Sequence, residues 1–336
     1  MTVTVIAPVC GPPEAVLPLL RGLSAQAAGG EPLPVIVSDD ASPEPLEPAL
    51  AALGLPGLEL RVVRDERNGG PGAARNRAVA VARTPWVAFV DADEVPGPGY
   101  VARLRAAASD PATPDLVSGR VLVPAAPGAF EHATAISVGE GQLGAGNLLV
   151  RTDVLRDLGG FDERFYDPRR RLHFREDAEL HFRFAAHGRR AGDDPALVVE
   201  HPPLPAALWG PVRLARRYYF DPLLAREHPE RFRALARERR AGPVPLRRAR
   251  HDAAFLHAAG LAALAGGLAA RAPRVTRAGA AALAAGWVAN GIALAYGRRV
   301  RPRDVPAIGV VAAVAPLAYV WHFLRGVVVF RYWPRF

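Results

Sequence analysis

The chain has 336 residues, a formal net charge of +9 and 50% hydrophobic residues. This length allows one large domain with an appendage or two modest domains, and the composition excludes wholesale disorder. The sequence contains no lysine, so its positive charge is carried by arginine, whose planar fork binds phosphate groups well. Cys10 is the only cysteine, which excludes an internal disulfide and a multi-thiolate metal site.

The first 220 residues alternate short β-type runs with helical stretches. Strands are predicted at Val3–Ala7, Val35–Val37, Leu58–Val63 and Trp86–Val90, and helices at Glu14–Ala28 and Ala73–Arg83. This alternation predicts an α/β fold with a mostly parallel sheet and with ligands at the carboxyl ends of the strands. No export sequence precedes the first strand, so we expect this part of the protein on the cytoplasmic side of the membrane.

The last third of the chain is arginine-rich and then apolar. Its uncharged stretches are Ala253–Ala270, Ala278–Tyr296 and Val305–Leu324, each close to the ~20 residues that cross a bilayer. The arginines before them favour membrane helices over a buried hairpin of a soluble domain. Both connecting loops are basic, so two spans, three spans and a stretch lying on the surface remain open. The predicted limits are a catalytic domain at 1–225, a linker at 226–251, apolar helices at 252–330 and a tail at 331–336.

The strand that ends at Val90 is followed directly by Asp91, Ala92 and Asp93. Mg²⁺ and Mn²⁺ prefer oxygen ligands and usually keep bonds to substrate phosphates. One carboxylate of this D-x-D pattern can bind such a cation while the other holds a ribose hydroxyl. The alternative is an ordinary acidic turn after a strand.

Two further patterns point to the same edge of the sheet. Gly70 lies in a glycine-rich loop whose backbone can approach a ligand closely, and Arg75, one turn into the next helix, can reach a diphosphate. Asp39 and Asp40 end the second strand and can accept a hydrogen bond from a base or a ribose. The alternatives are a plain loop with a solvated arginine, and carboxylates that cap a turn.

Glu176 and Asp177 begin a helical stretch that ends near Gly188. A carboxylate at a helix start that faces the carboxyl edge of the sheet is well placed to deprotonate an acceptor hydroxyl. The alternative role for Asp177 is that of the helix N-cap.

Together these motifs resemble the family 2 glycosyltransferases, which are inverting enzymes with the GT-A fold, over residues 2–205. The parts of the resemblance are Ile6-Ala7-Pro8-Val9, Ser38-Asp39-Asp40-Ala41-Ser42, the loop from Asn68 to Asn76, Asp91-Ala92-Asp93, Gly146-Asn147, Gly159 to Glu163, and Glu176-Asp177-x-Glu179-Leu180. Each part is a weak match, and their order and spacing make the set specific.

On the donor side, the resemblance implies that Pro8 and one of Asp39 or Asp40 border the nucleotide base. It places Arg75 near the nucleotide or its phosphates and Asp91 at the ribose. Two departures from the family pattern concern base recognition and processivity. Cys10 to Pro13 replace an aromatic residue and an asparagine, and the Gln-x-x-Arg-Trp signature of processive synthases is missing.

On the metal and acceptor side, the resemblance implies that Asp93 binds a divalent metal, Mn²⁺ or Mg²⁺, that bridges the diphosphate. Asp177 would be the general base with Glu176 as its neighbour. His201 follows a strand where some relatives supply a further metal ligand, and the alternative is a structural histidine. The expected reaction is a single displacement that inverts the anomeric carbon, with one sugar transferred per encounter.

The expected partners are a nucleotide-sugar donor, a glycan or lipid-linked acceptor and the membrane, with no nucleic acid. The donor base stays open among uridine, guanosine and deoxythymidine. The nearest alternative is a polyprenyl-phosphate glycosyltransferase, whose ionised acceptor needs little help from a base. A nucleotidyltransferase would be expected to carry a basic, glycine-rich loop directly after the first strand. Pro8–Pro13 contains no basic residue, which argues against this class. The last alternative is a non-catalytic membrane protein that binds nucleotide sugars.

Overall fold

A computed structural model describes residues 3–123, 127–131, 144–202, 205–238, 240–241 and 243–336. The chain forms two compact units. Unit 1 consists of Met1–Pro124 and Thr134–Pro202, and unit 2 of Ala125–Ala133 and Pro203–Phe336. Arg239 of the predicted arginine-rich linker lies outside the described residues.

Unit 1 contains a large sheet and its flanking helices. Its strands are β1 (Val3–Val9), β2 (Leu33–Asp40), β3 (Leu58–Asp65), β4 (Trp86–Val90), β5 (Val95–Pro96), β6 (Leu116–Leu122), β7 (Asn147–Arg151), β8 (Tyr166–Asp167), β9 (Leu172–His173) and β10 (Ala191–Glu200). Its helices are α1 (Leu17–Ala27), α2 (Leu46–Ala51), α3 (Gly70–Val81), α4 (Tyr100–Ser109), α5 (Thr152–Asp157) and α6 (Glu176–Ala186). The four predicted strands and both predicted helices are confirmed, although α3 begins earlier, at the glycine loop.

The large sheet has the strand order β3-β2-β1-β4-β7-β6-β10-β5. The first four strands in this order are parallel, and β7 runs antiparallel to both β4 and β6. Because β10 is parallel to β6, it runs in the same direction as β4. The carboxyl ends of β1, β2, β4 and β10 therefore lie at the same edge of the sheet. The short strands β8 and β9 form a separate antiparallel hairpin.

Apolar side chains fill both faces of the sheet, because successive residues of a strand point in opposite directions. Val5 and Ala7 of β1 join a core with α1, α2 and α4, whereas Ile6 joins a core with α3, α5 and α6. The result is a mostly parallel sheet between two layers of helices, which confirms the predicted α/β fold of the GT-A kind.

Unit 2 is mainly helical. It contains α7 (Gly210–Ala215), α8 (Asp221–Glu227), α9 (Pro229–Glu238), the small strands β11 (Arg240–Ala241) and β12 (Val244–Pro245), and the long helices α10 (Leu246–Ala269), α11 (Pro273–Ala295) and α12 (Val305–Phe330). The long helices contain the three predicted apolar stretches, and each is long and apolar enough to cross a membrane. Within unit 2, α7 and α8 contact α12. The limits predicted at 225 and 251 stay a prediction.

Residues 127–131 lie in the connection from β6 to β7 and belong to unit 2. The backbone N–H of Arg299 donates to the carbonyl of Pro127 at 2.9 Å. The guanidinium of Arg298 donates to the carbonyl of Gly128 at 3.1 Å and to that of Glu131 at 2.5 Å. The loop between α11 and α12 thus holds this segment by backbone hydrogen bonds.

Candidate active site

The topology explains why distant sequence motifs meet at one edge of the sheet. Asp91 follows β4 and His201 follows β10, two strands that end at this edge. Val95 of β5 pairs with Glu200 of β10. Because Asp93 lies just before β5, this pairing brings it close to His201.

The D-x-D turn is fixed through the backbone of Asp91. Its N–H donates to the carbonyl of Gly146 at 3.2 Å and to Oε2 of Glu94 at 3.1 Å. The side chain of Asp91 is 40% exposed and that of Asp93 is 50% exposed, with Ala92 half-buried between them. The turn is therefore held rigidly while both of its carboxylates remain open to a ligand.

Arg75 joins the D-x-D turn to the start of α6. Its guanidinium is 4% exposed, donates to Oδ1 of Asp91 at 2.7 Å and lies 3.9 Å from Oε1 of Glu176. The ring of Phe161 lies beneath it, 5.3 Å from Cζ to the centroid. Within the described ranges, Nε and Nη1 of Arg75 have no hydrogen-bond partner. The predicted donor-side and acceptor-side acids thus share one buried cation that retains hydrogen-bonding capacity.

The start of α6 adopts a sparsely populated backbone conformation. Arg175 occupies the N-cap position with φ +79°, a left-handed conformation that is uncommon for residues other than glycine. Asp177 therefore lies inside the first turn, and its Oδ1 accepts a hydrogen bond from the N–H of Ala178 at 2.7 Å. The alternative role of Asp177 as the N-cap is wrong, because the chain enters the helix at Arg175.

The two carboxylates of α6 have opposite pKa shifts. Burial raises the pKa of Asp177, the neighbouring charge of Glu176 adds to this, and the resulting value is about 6. Burial also opposes ionisation of Glu176, but a hydrogen bond with Nδ1 of His173 at 3.2 Å and nearby positive charge outweigh it. The pKa of Glu176 therefore lies below its usual range. Adjacent carboxyls whose environments separate their pKa values are typical of acid–base sites.

Asp93 and His201 form a pair at the open side of the D-x-D turn. Oδ2 of Asp93 lies 3.5 Å from Nε2 of His201, and Nδ1 of His201 lies 2.8 Å from the carbonyl oxygen of Pro202. A carbonyl only accepts, so Nδ1 donates its proton to Pro202, and Nε2 is the ring nitrogen that faces Asp93. Burial raises the pKa of Asp93, and the charge of Asp91 adds to this shift.

Asp39 and Asp40 lie at the same edge, but their carboxylates hold backbone loops. Asp39 is fully buried, accepts from the N–H of Ser42 at 2.9 Å and pairs with Arg64 at 2.6 Å. Burial opposes its ionisation, yet the hydrogen bonds from Ser42 and Arg64 hold the pKa of Asp39 below its usual range. Asp40 accepts from the N–H groups of Gly69 and Gly70 at 3.0 and 2.8 Å. Contact of either carboxylate with a nucleotide base stays a prediction.

Gly70 and Pro8 lie beside these loops. Gly70 has φ +82°, and a Cβ at this position would lie 2.6 Å from the ring of Tyr166. Pro8 is half-buried at the end of β1 and pairs in register with Ser38. The predicted donor-side residues are thus brought together at one edge, and their roles toward a donor stay predictions.

Two residues have roles that sequence reasoning missed. Glu94 is 2% exposed and supports Asp91, and burial together with the charge of Asp91 raises its pKa well above its usual value. The only sequence signal for it is a third acid directly after the D-x-D. Asn147 donates to the carbonyls of Arg120 and Leu197 and accepts from the hydroxyl of Tyr100, so it ties β7 to β6 and β10.

A mostly parallel sheet with a D-x-D turn and an acidic helix start at its carboxyl edge is the arrangement expected of the GT-A fold. The model of the family described as "Glycosyl transferase family 2" matches residues 4–181. The chain belongs to this family.

Several known proteins are similar to this chain. A pre-mycofactocin glycosyltransferase of Mycobacterium tuberculosis is 32% identical over 185 residues, which cover 50% of this chain and 37% of that protein. The succinoglycan biosynthesis protein ExoO of Rhizobium meliloti is 38% identical over 81 residues, or 24% of this chain and 23% of that protein. The matches thus span well under two thirds of these relatives. The crystal structure of S. aureus TarS 1–349 in complex with UDP has a TM-score of 0.50 at 17% identity, covering 100% of this chain and 94% of that one.

Proposed function

We propose that the protein transfers a sugar from a nucleoside diphosphate sugar to a hydroxyl group and inverts the anomeric carbon. The observation that carries this proposal is the position of Arg75, whose buried guanidinium contacts Asp91 and lies near Glu176. The donor-side turn and the acceptor-side helix are tied to the same side chain. Both substrates of a transfer reaction can therefore bind within reach of one another.

Asp93 and His201 suit a divalent cation, Mn²⁺ or Mg²⁺. They offer one carboxylate oxygen and one imidazole nitrogen that face each other. Burial, with a contribution from the charge of Asp91, raises the pKa of Asp93, and a bound cation would offset both effects. In the described part of the chain no cluster of three or more acidic, histidine or cysteine side chains could hold a metal. Phosphate and water oxygens would therefore complete the coordination, as is usual for these ions. Such a cation stabilises charge on the departing diphosphate.

Arg75 supplies fixed positive charge next to the same leaving group. Its Nε and Nη1 atoms have no hydrogen-bond partner within the described ranges. A preorganised buried donor stabilises charge that develops in the transition state without having to reorganise at that moment. Arg75 would thus bind diphosphate oxygens while its Nη2 holds Asp91 in place.

Asp177 is suited to accept the proton of the attacking hydroxyl. With a pKa of about 6 it is ionised at neutral pH and is more basic than an ordinary aspartate. Attack from the face opposite the diphosphate inverts the anomeric carbon in one displacement. A phosphate acceptor would be ionised already and would need no base, so this pKa favours a hydroxyl acceptor over polyprenyl phosphate.

We assign the acceptor to a lipid-linked or cell-envelope glycan and the catalytic domain to the cytoplasmic side of the cell membrane. The long helices α10, α11 and α12 have the length and composition of membrane spans and support the membrane part of this assignment. In this assignment residues 1–225 catalyse, 226–251 approach the bilayer, 252–330 associate with it and 331–336 form a tail.

Metal and donor binding can be tested by thermal shift on the full-length protein in detergent. Mn²⁺ with UDP, GDP or dTDP should raise the melting temperature, because a ligand that binds only the folded state stabilises it. UDP belongs in the panel because the TarS structure carries it. We expect Asp93→Asn and His201→Ala to abolish the Mn²⁺-dependent part of the shift.

The control is Asp157→Asn, an exposed acid at the end of α5 that should leave the shift intact. The proposal fails if the wild type hydrolyses no nucleotide sugar and Asp93→Asn alters neither metal nor nucleotide affinity.

A further inference from the structure

The hairpin of β8 and β9 carries three consecutive exposed arginines at its tip, Arg169, Arg170 and Arg171. Arg170 pairs with Asp167 at 2.8 Å. Within the described residues, the side chains of Arg169 and Arg171 form no ion pair. The tip therefore presents two uncompensated guanidinium groups.

The base of this hairpin is joined to both sides of the candidate site. On the donor side, the ring of Tyr166 lies against Gly70 and its hydroxyl donates to Oδ1 of Asn68. On the acceptor side, His173 hydrogen-bonds Glu176, the neighbour of Asp177. The arginines thus lie on a short two-stranded element that is tied directly to the catalytic helix.

The positive charge of the hairpin acts on groups of the site. Burial and Asp40 raise the pKa of Tyr166, and the charge of Arg171 opposes this shift. Arg175, which follows the hairpin, likewise opposes the upward shift in the pKa of Asp177 that burial and Glu176 cause. The charges of Arg171 and Arg175 thus extend to groups at the base of the hairpin and at the start of α6.

We propose that Arg169 and Arg171 bind a phosphate group that the sugar acceptor carries close to its reacting hydroxyl. This inference rests on the proposed function, and it narrows the acceptor to a phosphorylated or phosphodiester-linked glycan. Exposed guanidinium groups without acidic partners recognise phosphate through paired, charge-assisted hydrogen bonds.

The arginines of the hairpin are assigned to the acceptor because the donor diphosphate has other partners. Asp93, His201 and the buried Arg75 lie together at the D-x-D turn. The tip is exposed, and β9 connects it to the start of α6, where His173 contacts Glu176 beside the proposed base. We therefore assign the tip to the acceptor side.

Two probes that differ only by a phosphodiester test the proposal. They are decyl glucoside and glucose 1-(decyl phosphate), which share the sugar and the alkyl chain. The full-length protein in neutral detergent is supplied with its preferred donor, and nucleotide release is followed as each probe is titrated. The concentration that gives a half-maximal change in release measures binding at the acceptor side.

The wild type should bind the charged probe at least about tenfold more tightly than the neutral one, since two charge-assisted contacts are at stake. The double variant Arg169→Gln/Arg171→Gln should lose this preference, and Arg169→Lys/Arg171→Lys should regain part of it. The matched control is Arg21→Gln/Arg61→Gln, which removes two exposed charges elsewhere in unit 1 and should keep the wild-type preference.

Each other outcome has a distinct meaning. Equal affinity of the wild type for both probes overturns the inference and leaves the proposed function standing. If Arg169→Gln/Arg171→Gln raises the KM for the donor but still prefers the charged probe, the arginines bind the donor. That result would also overturn the inference. If no donor is hydrolysed, the proposed function fails. Fluorescence polarisation with labelled probes then tests the inference, through the ratio of the affinities for the charged and the neutral probe.

Discussion

Asp177 combines an elevated pKa with a place beside Arg75 and Glu176, and its replacement isolates its chemical role. Asp177→Asn keeps the shape of the side chain but removes the base. We expect kcat to fall by roughly 10²–10⁴-fold, the usual contribution of a positioned general base. Donor affinity and the melting temperature should stay close to wild type. Steady-state kinetics with a donor titration provides the measurement, and an unchanged kcat would exclude Asp177 as the base.

The raised pKa of Asp177 predicts a pH profile. The base acts only when ionised, so log(kcat/KM) should fall by one unit per pH unit below about pH 6 and level off above it. Glu176→Gln should move the midpoint down, because the charge of Glu176 contributes to the shift. Burial is the larger cause, so the midpoint should remain above that of an ordinary aspartate. A midpoint that does not respond to Glu176→Gln would contradict the assignment.

Asp40 is predicted to stabilise the fold even without a donor. Asp40→Ala leaves the N–H groups of Gly69 and Gly70 without their acceptor, and each unsatisfied buried group costs about 1–3 kcal/mol. Arg77 lies 3.4 Å from Oδ1 of Asp40 and 2.9 Å from Oδ2 of Asp65. Asp65→Ala is the matched control, because Asp65 shares this partner but is 46% exposed, and a surface pair contributes at most about 1 kcal/mol. Denaturant unfolding of donor-free protein measures both. If both variants lose the same free energy of unfolding, the hydrogen bonds that Asp40 accepts from Gly69 and Gly70 do not stabilise the fold as predicted.

At the residue scale the sequence predicted where the site residues lie better than it predicted their contacts. Asp91, Asp93, Arg75 and Asp177 follow strand ends or begin helices, so a pattern of strands and helices is enough to place them at one edge. The partners of Asp40 could not be predicted in the same way. They depend on how a loop about thirty residues later folds back over β2.

Among the secondary-structure elements, the pair of helices α10 and α11 packs through glycines. A Cβ on Gly267 would lie 2.6 Å from the backbone nitrogen of Thr276, and one on Gly260 would lie 2.4 Å from that of Leu283. Gly279 and Gly286 of α11 meet the backbone of α10 in the same way. Such small residues let two helices approach closely where lipid supplies no hydrophobic driving force.

This packing predicts different effects for two adjacent glycines. Gly267→Leu should lower the melting temperature in detergent, since overpacking costs typically ~1–3 kcal/mol. Gly266→Leu is the matched control, because a Cβ at that position meets no atom within 4 Å. Equal behaviour of the two variants would contradict the close contact between these helices.

The sequence predicted the first four long strands and the apolar helices, and it missed β6, β7 and the shortest strands. β1 and β4 are apolar runs with clear limits, and the apolar helices follow from length and composition. The two-residue strands β5, β8 and β9 are too short for any period to develop. β10 contains Asp193, Asp194 and Pro195 with a register shift before Val198, so only its last part has the composition of a strand.

For the whole molecule, the three apolar helices were predictable and the division of the chain was not. A hydrophobic stretch can be identified from composition alone. Residues 125–133 belong to unit 2 because of tertiary contacts, which composition does not reveal. This segment has no apolar period that would separate it from the neighbouring loop. Its partners, such as Arg298, lie far along the chain.

The anchored segment 127–131 bears on how a soluble form of the catalytic unit could be prepared. A protein cut after residue 202 would lose Arg298 and the backbone of Arg299, and the carbonyls of Pro127, Gly128 and Glu131 would lose their donors. The stranded segment would then favour aggregation and protease cleavage between β6 and β7. Replacing residues 125–133 with a short glycine–serine linker would remove the segment that aggregates or is cleaved. A truncated catalytic unit therefore needs two changes, the cut after residue 202 and the replacement of residues 125–133.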